Sequence, residues 1–411
     1  MERRRFLAGT VGAWLAPSFP ATAATSGGES PSNASPNVTD APPASKTTLF
    51  LAGDAMTGRG VDQILPHPGN PRLFEEYAVS ARRYVELAEA ASGPIARPAG
   101  FDYVWGDALA ELESRRPDAR IVNLETAVTT SDDAALPKAV LYRMHPANVG
   151  CLSAARIDCC TLANNHVLDW GRRGLAETLA TLRAAGIRTT GAGADEDEAR
   201  APALIDVAGG RRIVVLSFGL ASAGVPAEWA ATRSRGGVWL LPALDARAVD
   251  AIAARVSAIR RAGDVVVASI HWGSNWGYPV PSSHRTFAQR LVDRAGVDVV
   301  HGHSSHHPRG IEIYRDRPIL YGCGDLLNDY EGIGGYEAFR PELGVIVFAT
   351  LGAGGTLVEL TLVPTRIARL RVNRARGDDV AWLAATLDRE SREFGARVER
   401  RTDDTLRVAP R

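Results

Sequence analysis

The chain has little cysteine, little methionine and no surplus of charge of either sign. Its four cysteines, Cys151, Cys159, Cys160 and Cys323, lack the paired spacing of a zinc finger. Cys159 and Cys160 fall in an apolar, strand-like run where small thiols pack as hydrophobes, so free buried cysteines are expected, with a disulfide as the alternative in an oxidising compartment. Lys plus Arg and Asp plus Glu both number 47, giving a net charge of zero. That balance argues against a general electrostatic grip on nucleic acid or an acidic membrane surface. Beyond the amino terminus no run approaches the roughly 18 uninterrupted apolar residues of a spanning helix. With 411 residues and 45% hydrophobic content, the chain can bury a substantial core, and large α/β folds of this length often form one domain.

The amino terminus reads as a targeting segment. Three arginines, Arg3 to Arg5, precede a modestly apolar stretch from Phe6 to Pro17, and Ala21-Thr22-Ala23 fits a signal-peptidase site. Arg3-Arg4-Arg5-Phe6-Leu7 matches the twin-arginine pattern. Residues 1–25 are therefore expected to be a twin-arginine-type leader, directing the protein to a periplasmic or extracellular location. Residues 26–45, rich in Ser, Pro, Ala and Asn, read as a disordered linker, and the fold is expected over 46–411.

From there the pattern alternates strand, helix, strand, which implies an α/β fold. Strands are expected at Thr47 to Ala52, Arg120 to Leu124, Ile157 to Leu162, Ile187 to Thr190, Ile213 to Phe218, Val265 to Ile270 and Val297 to Val300. Helices are expected at Tyr77 to Ala91, Trp105 to Arg115, Ala147 to Arg156, Leu175 to Ala185, Ala243 to Ala262 and Thr286 to Ala295. Past residue 310 come four strands with no helix between them, Gly310 to Tyr314, Pro318 to Tyr321, Gly344 to Ala349 and Thr356 to Val363, read as an antiparallel portion completing a second sheet. A helix from Asp378 to Phe394 and an edge strand at Leu406 to Val408 close the chain. The acidic run Asp195 to Glu198 reads as a solvated turn or helix start.

Six of the nine histidines lie between His271 and His307. His271 and the cluster His301, His303, His306 and His307 follow apolar strand runs, so they gather at carboxyl ends of strands, where open α/β sheets bind ligands. Asp54, Glu125 and Asn165 with His166 end three other strands. Carboxylates, an amide oxygen and imidazoles together form a mixed O/N set suited to Mn, Fe or Zn rather than Ca. Any one of them alone would more simply be a cap or a packed side chain, as Asp54 after Gly53 illustrates.

The ordered motifs GDAMTGRG from Gly53, NLE from Asn123, ANNHVLDWG from Ala163, HWG from His271 and HGHSSHHPRGIEIYRDRPILYGCGD from His301 resemble the CapA-type poly-γ-glutamate capsule synthesis proteins, within the wider calcineurin-like metallophosphoesterase group. The resemblance spans about Thr47 to Leu362 and implies a four-layer α/β/β/α sandwich of two mixed sheets. It implies metal-binding roles for Asp54, Glu125, Asn165, His271, His303 and His306. It also implies that His166 protonates a leaving group or holds a phosphate, with Asp169 orienting it. Three features depart from the pattern. Met56 stands where phosphoesterases carry a histidine, the closing histidines are spaced H-x-x-H with His307 as a rival, and Ser274-Asn275-Trp276 follows HWG in place of an early Glu. One ion or two are both compatible with that set.

Arg59, Arg143 and Arg309 adjoin these motifs and are candidate partners for an anionic substrate, or else surface ion pairs. Trp272, Trp276 and Tyr278 could wall a cleft or pack in the core. The expected function is an exported, metal-dependent hydrolase of the CapA type, acting on an amide or phosphoester of an envelope polymer, alongside polymer-synthesis machinery. A non-catalytic assembly or export factor holding an anionic polymer is the alternative, as is a secreted phosphomonoesterase acting on a phosphorylated small molecule.

The leader can be tested directly. Replacing Arg3 and Arg4 together by lysine preserves charge but removes the twin-arginine pattern. Uncleaved precursor should accumulate in the cytoplasm, and normal export of the double variant would rule out this route.

Overall fold

Runs such as Leu49-Phe50-Leu51 and Val214-Val215-Leu216 are apolar at every position. Successive strand side chains point to opposite faces, so such runs are stable only in sheets covered on both sides. In the computed structural model, which describes residues 46–411, that is where they lie. The leader and linker expected at 1–25 and 26–45 fall outside the described residues.

The described residues form a mixed α/β fold with two principal sheets. In the larger, of 10 strands, Thr47–Ala55, Ala119–Leu124, Cys159–Thr161 and Arg188–Thr190 run parallel in that order. Leu343–Leu351 pairs antiparallel on the other side of Thr47–Ala55, followed by Leu357–Ile367. In the smaller sheet, of 7 strands, Arg211–Leu220, Val265–His271, Val299–His303 and Arg317–Leu320 run parallel. Ala203–Val207 and Ile311–Tyr314 are its antiparallel additions.

The alternation divides the core. Leu49, Leu51 and Ile121 of the larger sheet meet Ile213, Val215, Val267 and Val299 of the smaller in one cluster. On the opposite face of the larger sheet, Phe50 and Val122 pack with Val85, Leu152 and Leu175 from helices. On the opposite face of the smaller, Val214, Val266 and Val300 pack with Ile252, Val256 and Leu291 of helices Ala246–Ile259 and Ser282–Ala295. Each such aliphatic side chain contributes about 1.5–3 kcal/mol on burial. The sheets are also pinned by polar contacts: the Nε2 of His301 lies 3.0 Å from the Ala52 carbonyl, and Ser269 Oγ lies 3.2 Å from Thr161 Oγ1.

The structure differs from the sequence expectations in several places. The strands beyond residue 310 do not build one sheet. Ile311–Tyr314 and Arg317–Leu320 join the smaller sheet, whereas Leu343–Leu351 and Leu357–Ile367 join the larger. Hydropathy marks a strand but not its partner. The expected helix at Tyr77 begins only at Arg82, because Leu73 and Ala81 donate to Val79 and Pro71 carbonyls and close a loop first. The expected helix Ala147 to Arg156 is split into the turn Pro146–Asn148 and the short helix Gly150–Ala154. There the Asn148 side chain is drawn to Asp62 and to the His67 carbonyl. Asp195 caps the short helix Glu196–Ala199 through the Glu198 amide. All four cysteines are buried and free.

A short strand that hydropathy does not reveal, Asp325–Leu327, lies parallel to Thr47–Ala55 with Asp54 opposite Asp325. Its approach depends on Gly53, where an added Cβ would stand 1.9 Å from the Gly324 carbonyl oxygen. Gly53→Ala should therefore destabilise the protein by about 1–3 kcal/mol. An unchanged urea-unfolding midpoint in that variant would show that the two strands separate without cost.

Candidate metal centre

The parallel strands of both sheets end on the same side, and their last residues converge. Asp54 is the penultimate residue of one strand of the larger sheet, Glu125 follows its neighbour, and His271 and His303 end adjacent strands of the smaller, where they are register partners. All four are buried. Asp54 Oδ1 accepts from Asn123 Nδ2 at 2.7 Å and Oδ2 accepts from the Ser304 amide at 3.1 Å.

Hydrogen-bond logic assigns the imidazole nitrogens. His301 Nε2 faces the Ala52 carbonyl, an obligate acceptor, so Nε2 carries its hydrogen and Nδ1 is a lone pair. Ser269 Oγ has one hydrogen, claimed by that Nδ1 at 3.1 Å and by Thr161 Oγ1 at 3.2 Å. Ser269 then accepts from His303 Nε2 at 2.9 Å, which leaves a lone pair on His303 Nδ1. Likewise His271 Nε2 donates to Asn165 Oδ1 at 2.9 Å, leaving a lone pair on His271 Nδ1. The two Nδ1 atoms lie 2.9 Å apart, and His303 Nδ1 is 3.8 Å from Asp54 Oδ1. Two imidazole lone pairs and a carboxyl group converge there. That donor set fits a divalent transition ion, and the residues holding the outer nitrogens fix the ligand tautomers. Asn165 Oδ1 thus stands against the outer nitrogen of His271.

A second group shares the same aspartate. Ligand atoms of Asp54, His306 and Asp325 lie within 4.8 Å of one another, and all three are buried. His306 Nδ1 is 3.0 Å from Asp325 Oδ1, and Asn328 Nδ2 donates to Asp325 Oδ2 at 2.7 Å. Glu125 completes the acidic lining. Its Oε1 lies 3.6 Å from His166 Nε2, while its buried Oε2 has no hydrogen-bond partner. Burial and the neighbouring Asp325 push the Asp54 carboxyl up to about 7, and burial with Asp54 and Asp325 holds Glu125 well above the usual carboxylate range. Such raised carboxyls mark charge that a cation would neutralise.

Beside the group stands His166. Its Nδ1 lies 2.6 Å from Asp169 Oδ2, which also accepts from the Tyr142 amide at 2.7 Å. Lys138, absent from the residues that sequence reasoning singled out, donates to Asp169 Oδ1 at 2.5 Å and lies 3.1 Å from His166 Nδ1. An ammonium has no lone pair, so the ring hydrogen goes to Asp169 and His166 Nε2 remains a lone pair facing the site. Burial lowers His166 to about 4, so it is neutral near pH 7.

The three arginines expected near the site all hold partners within the chain. Arg59 is buried, paired with Asp329 at 2.5 Å and Glu75 at 2.8 Å, and lies over the rings of Tyr84 and Tyr142. Arg143 donates to Ser131 O, Asp132 and Asn70 O and lies over Trp170. Arg309 donates to the carbonyl and hydroxyl of Ser274. Their forks hold loops, and Arg59 also lines the cleft over His306. His307 is also accounted for: Nε2 accepts from the Gly277 amide and Nδ1 faces the Pro308 carbonyl, so neither nitrogen is spare. Trp272 is core, stacked on His284 and Tyr321. Tyr278 packs against His307 and Phe339. Trp276 does line a cleft over His306, with Arg59, Tyr330 and a stacked Tyr336. Asp325 and Lys138 were missed because one follows a Gly-rich turn and the other sits alone in a loop. The carboxylate ending YGCGD was the only available signal.

Residues 48–330 match the sequence profile of the bacterial capsule synthesis protein PGA_cap. A probable polyglutamine synthesis accessory protein of Mycobacterium tuberculosis (strain H37Rv) is 52% identical over 365 residues, covering 88% of this chain and 96% of that one. The PGA biosynthesis protein CapA of Bacillus subtilis (strain 168) is 26% identical over 280 residues, covering 68% of this chain and 62% of that one. The capsule biosynthesis protein CapA of Bacillus anthracis is 23% identical over 291 residues, covering 69% and 60%.

Burial lowers the His301 pKa to about 4, from an ordinary value near 6.5. Its neutral form is favoured in the fold, so its contribution to stability is full above about pH 6.5 and is lost as pH falls towards 4. Chelator-treated protein should lose stability across that window, by up to about 1.4 kcal/mol per pH unit for each such histidine. His301→Gln, though less stable at pH 7.5, should show a shallower fall in urea midpoint between pH 7.5 and 5. An unchanged slope would contradict a buried neutral His301.

Proposed function

Because the chain belongs to the PGA_cap family of bacterial capsule synthesis proteins, we propose that it is an exported accessory protein of envelope-polymer synthesis with metal-dependent hydrolase activity. The bond cut is an amide of a poly-γ-glutamate-like chain or a phosphoester of a precursor. The observation that carries this reading is the convergence of His271 Nδ1, His303 Nδ1 and Asp54 beside a neutral His166 held by Asp169. A four-layer metallophosphoesterase-type sandwich is part of the same proposal. Its support is the inner cluster between the sheets and the helix-covered cluster on each outer face.

His271, His303 and Asp54 would hold a Mn, Fe or Zn ion, which supplies Lewis-acid polarisation of the scissile group when bound. The chain's own residues do the rest. Asn165 and Ser269 keep both ligand rings in the tautomer with Nδ1 free. His166 takes a proton at Nε2 from the attacking water and delivers it to the leaving nitrogen or oxygen, while Asp169 steadies the ring as it becomes charged. Lys138 holds Asp169 in place from the loop side. Trp276 and Tyr336 offer a ring ledge beside His306 for the uncharged part of a substrate.

One observation favours a non-catalytic reading, in which the cleft only holds an anionic polymer. Met56, two residues after Asp54, is buried and offers a soft thioether where phosphoesterase chemistry uses an imidazole. A panel of phosphoester and γ-glutamyl substrates separates the two. Turnover should be abolished by chelator and fall at least about 100-fold in His166→Asn, the usual scale of a general acid–base group. Metal-loaded protein that binds polymer but turns over nothing on the panel would overturn the hydrolase reading.

A further inference from the structure

At the end of the larger sheet away from the metal centre, three arginines line one pocket: Arg116, Arg120 and Arg156. Arg120 is the second residue of strand Ala119–Leu124, whose other end leads to Glu125. About 16 Å of extended strand therefore separates Arg120 from the buried acids. Arg116 caps helix Ala108–Arg115, and Arg156 follows the short helix Gly150–Ala154 in the turn before Cys159–Thr161.

These arginines differ from their neighbours in what they hold. The adjacent Arg115 pairs with Glu111, which Arg374 also binds. Arg116 and Arg156 are exposed, and neither forms an ion pair or a side-chain hydrogen bond among the described residues. Arg120 donates through Nη1 to the Ala155 carbonyl at 3.1 Å, while its Nε is buried without a partner. Burial lowers the Arg120 guanidinium from its ordinary value; Asp158 works against that shift and Arg156 adds to it. Glu113 lines the same pocket but is exposed and in no ion pair. Guanidinium groups gathered in this way keep unused donors for an anion. Between them the lining is aliphatic, from Leu109, Leu112 and Ala155, the last two buried.

We propose that this pocket binds an acidic chain whose carboxylates are separated by methylene groups, as in γ-linked glutamate. The arginines take the carboxylates, and Leu109 and Leu112 take the methylenes. A compact anion such as phosphate would use the charges alone and leave the aliphatic lining uncovered. The chain has no net charge, so fork geometry at the pocket, not long-range attraction, makes the contact. This ligand class rests on the envelope-polymer part of the function proposed above and on nothing at the metal centre. Holding the polymer and cutting a bond would then occupy opposite ends of the larger sheet.

The test reads binding, not turnover. The full chain is titrated with a short fluorescein-labelled oligomer of γ-linked glutamate at low ionic strength and followed by fluorescence anisotropy, with circular dichroism to verify folding. Affinity should fall at least about tenfold when Arg116→Ala and Arg156→Ala are combined, since each removes charge-assisted bonds to a carboxylate. Both residues are exposed, so the variant keeps its core. The exposed pair Arg233→Ala and Arg290→Ala makes the same change in net charge and should leave affinity within about twofold. Unchanged affinity in the first pair, or an equal loss in the second, would overturn the pocket while leaving the polymer reading standing. Displacement of the oligomer by inorganic phosphate at matched concentration would overturn the chain ligand in favour of a compact anion. No binding by the native chain would remove the pocket's ligand together with the polymer part of the function proposed above.

Discussion

The arrangement of this protein turns on the burial of mutually repelling carboxylates at the seam between two sheets. Asp54, Glu125 and Asp325 lie within one water-poor pocket, and burial together with their mutual repulsion raises Asp54 and Glu125 above ordinary carboxylates. Such a cluster is tolerated only where the surroundings are fixed. The Asn123 amide and the Ser304 backbone hold Asp54, Asn328 holds Asp325, and the Asp325 strand follows the Asp54 strand in parallel. Much of the local architecture consists of groups that keep these acids in place.

The smaller sheet answers with imidazoles rather than cations. Pairing of Val265–His271 with Val299–His303 sets His271 beside His303. The chain from the Ala52 carbonyl through His301 and Ser269 then decides which nitrogen of His303 is free. That chain begins on the larger sheet and ends on the smaller, so the contact that docks the sheets also sets the donor character of the site. Packing and chemistry share the same atoms.

The cationic side chains nearest the cleft serve structure. Arg59, Arg143 and Arg309 are committed to acids and carbonyls of their own chain, and the cleft mouth is lined by Trp276, Tyr330 and Tyr336 together with the paired Arg59. A ligand entering there meets rings first and the buried acids and imidazoles below.

Much was legible from order and hydropathy: the alternating strands and helices, and the convergence of Asp54, Glu125, His166, His271, His303 and His306 at strand ends. These are local properties, because an apolar run with a polar residue at its end reports both the strand and the residue exposed at its tip. Family membership was legible too, in the ordered motifs. What only the tertiary structure decided were pairings between distant segments. It set the late antiparallel strands in different sheets, brought Asp325 opposite Asp54, inserted Lys138 against Asp169, and gave Arg59, Arg143 and Arg309 partners within the chain. It also chose His306 over His307 for the acidic group, since backbone partners consume both nitrogens of His307. Sequence spacing says how far along the chain two residues lie, whereas hydrogen bonding and charge depend on distances of a few ångströms across it. Those distances are set by sheet register and by burial.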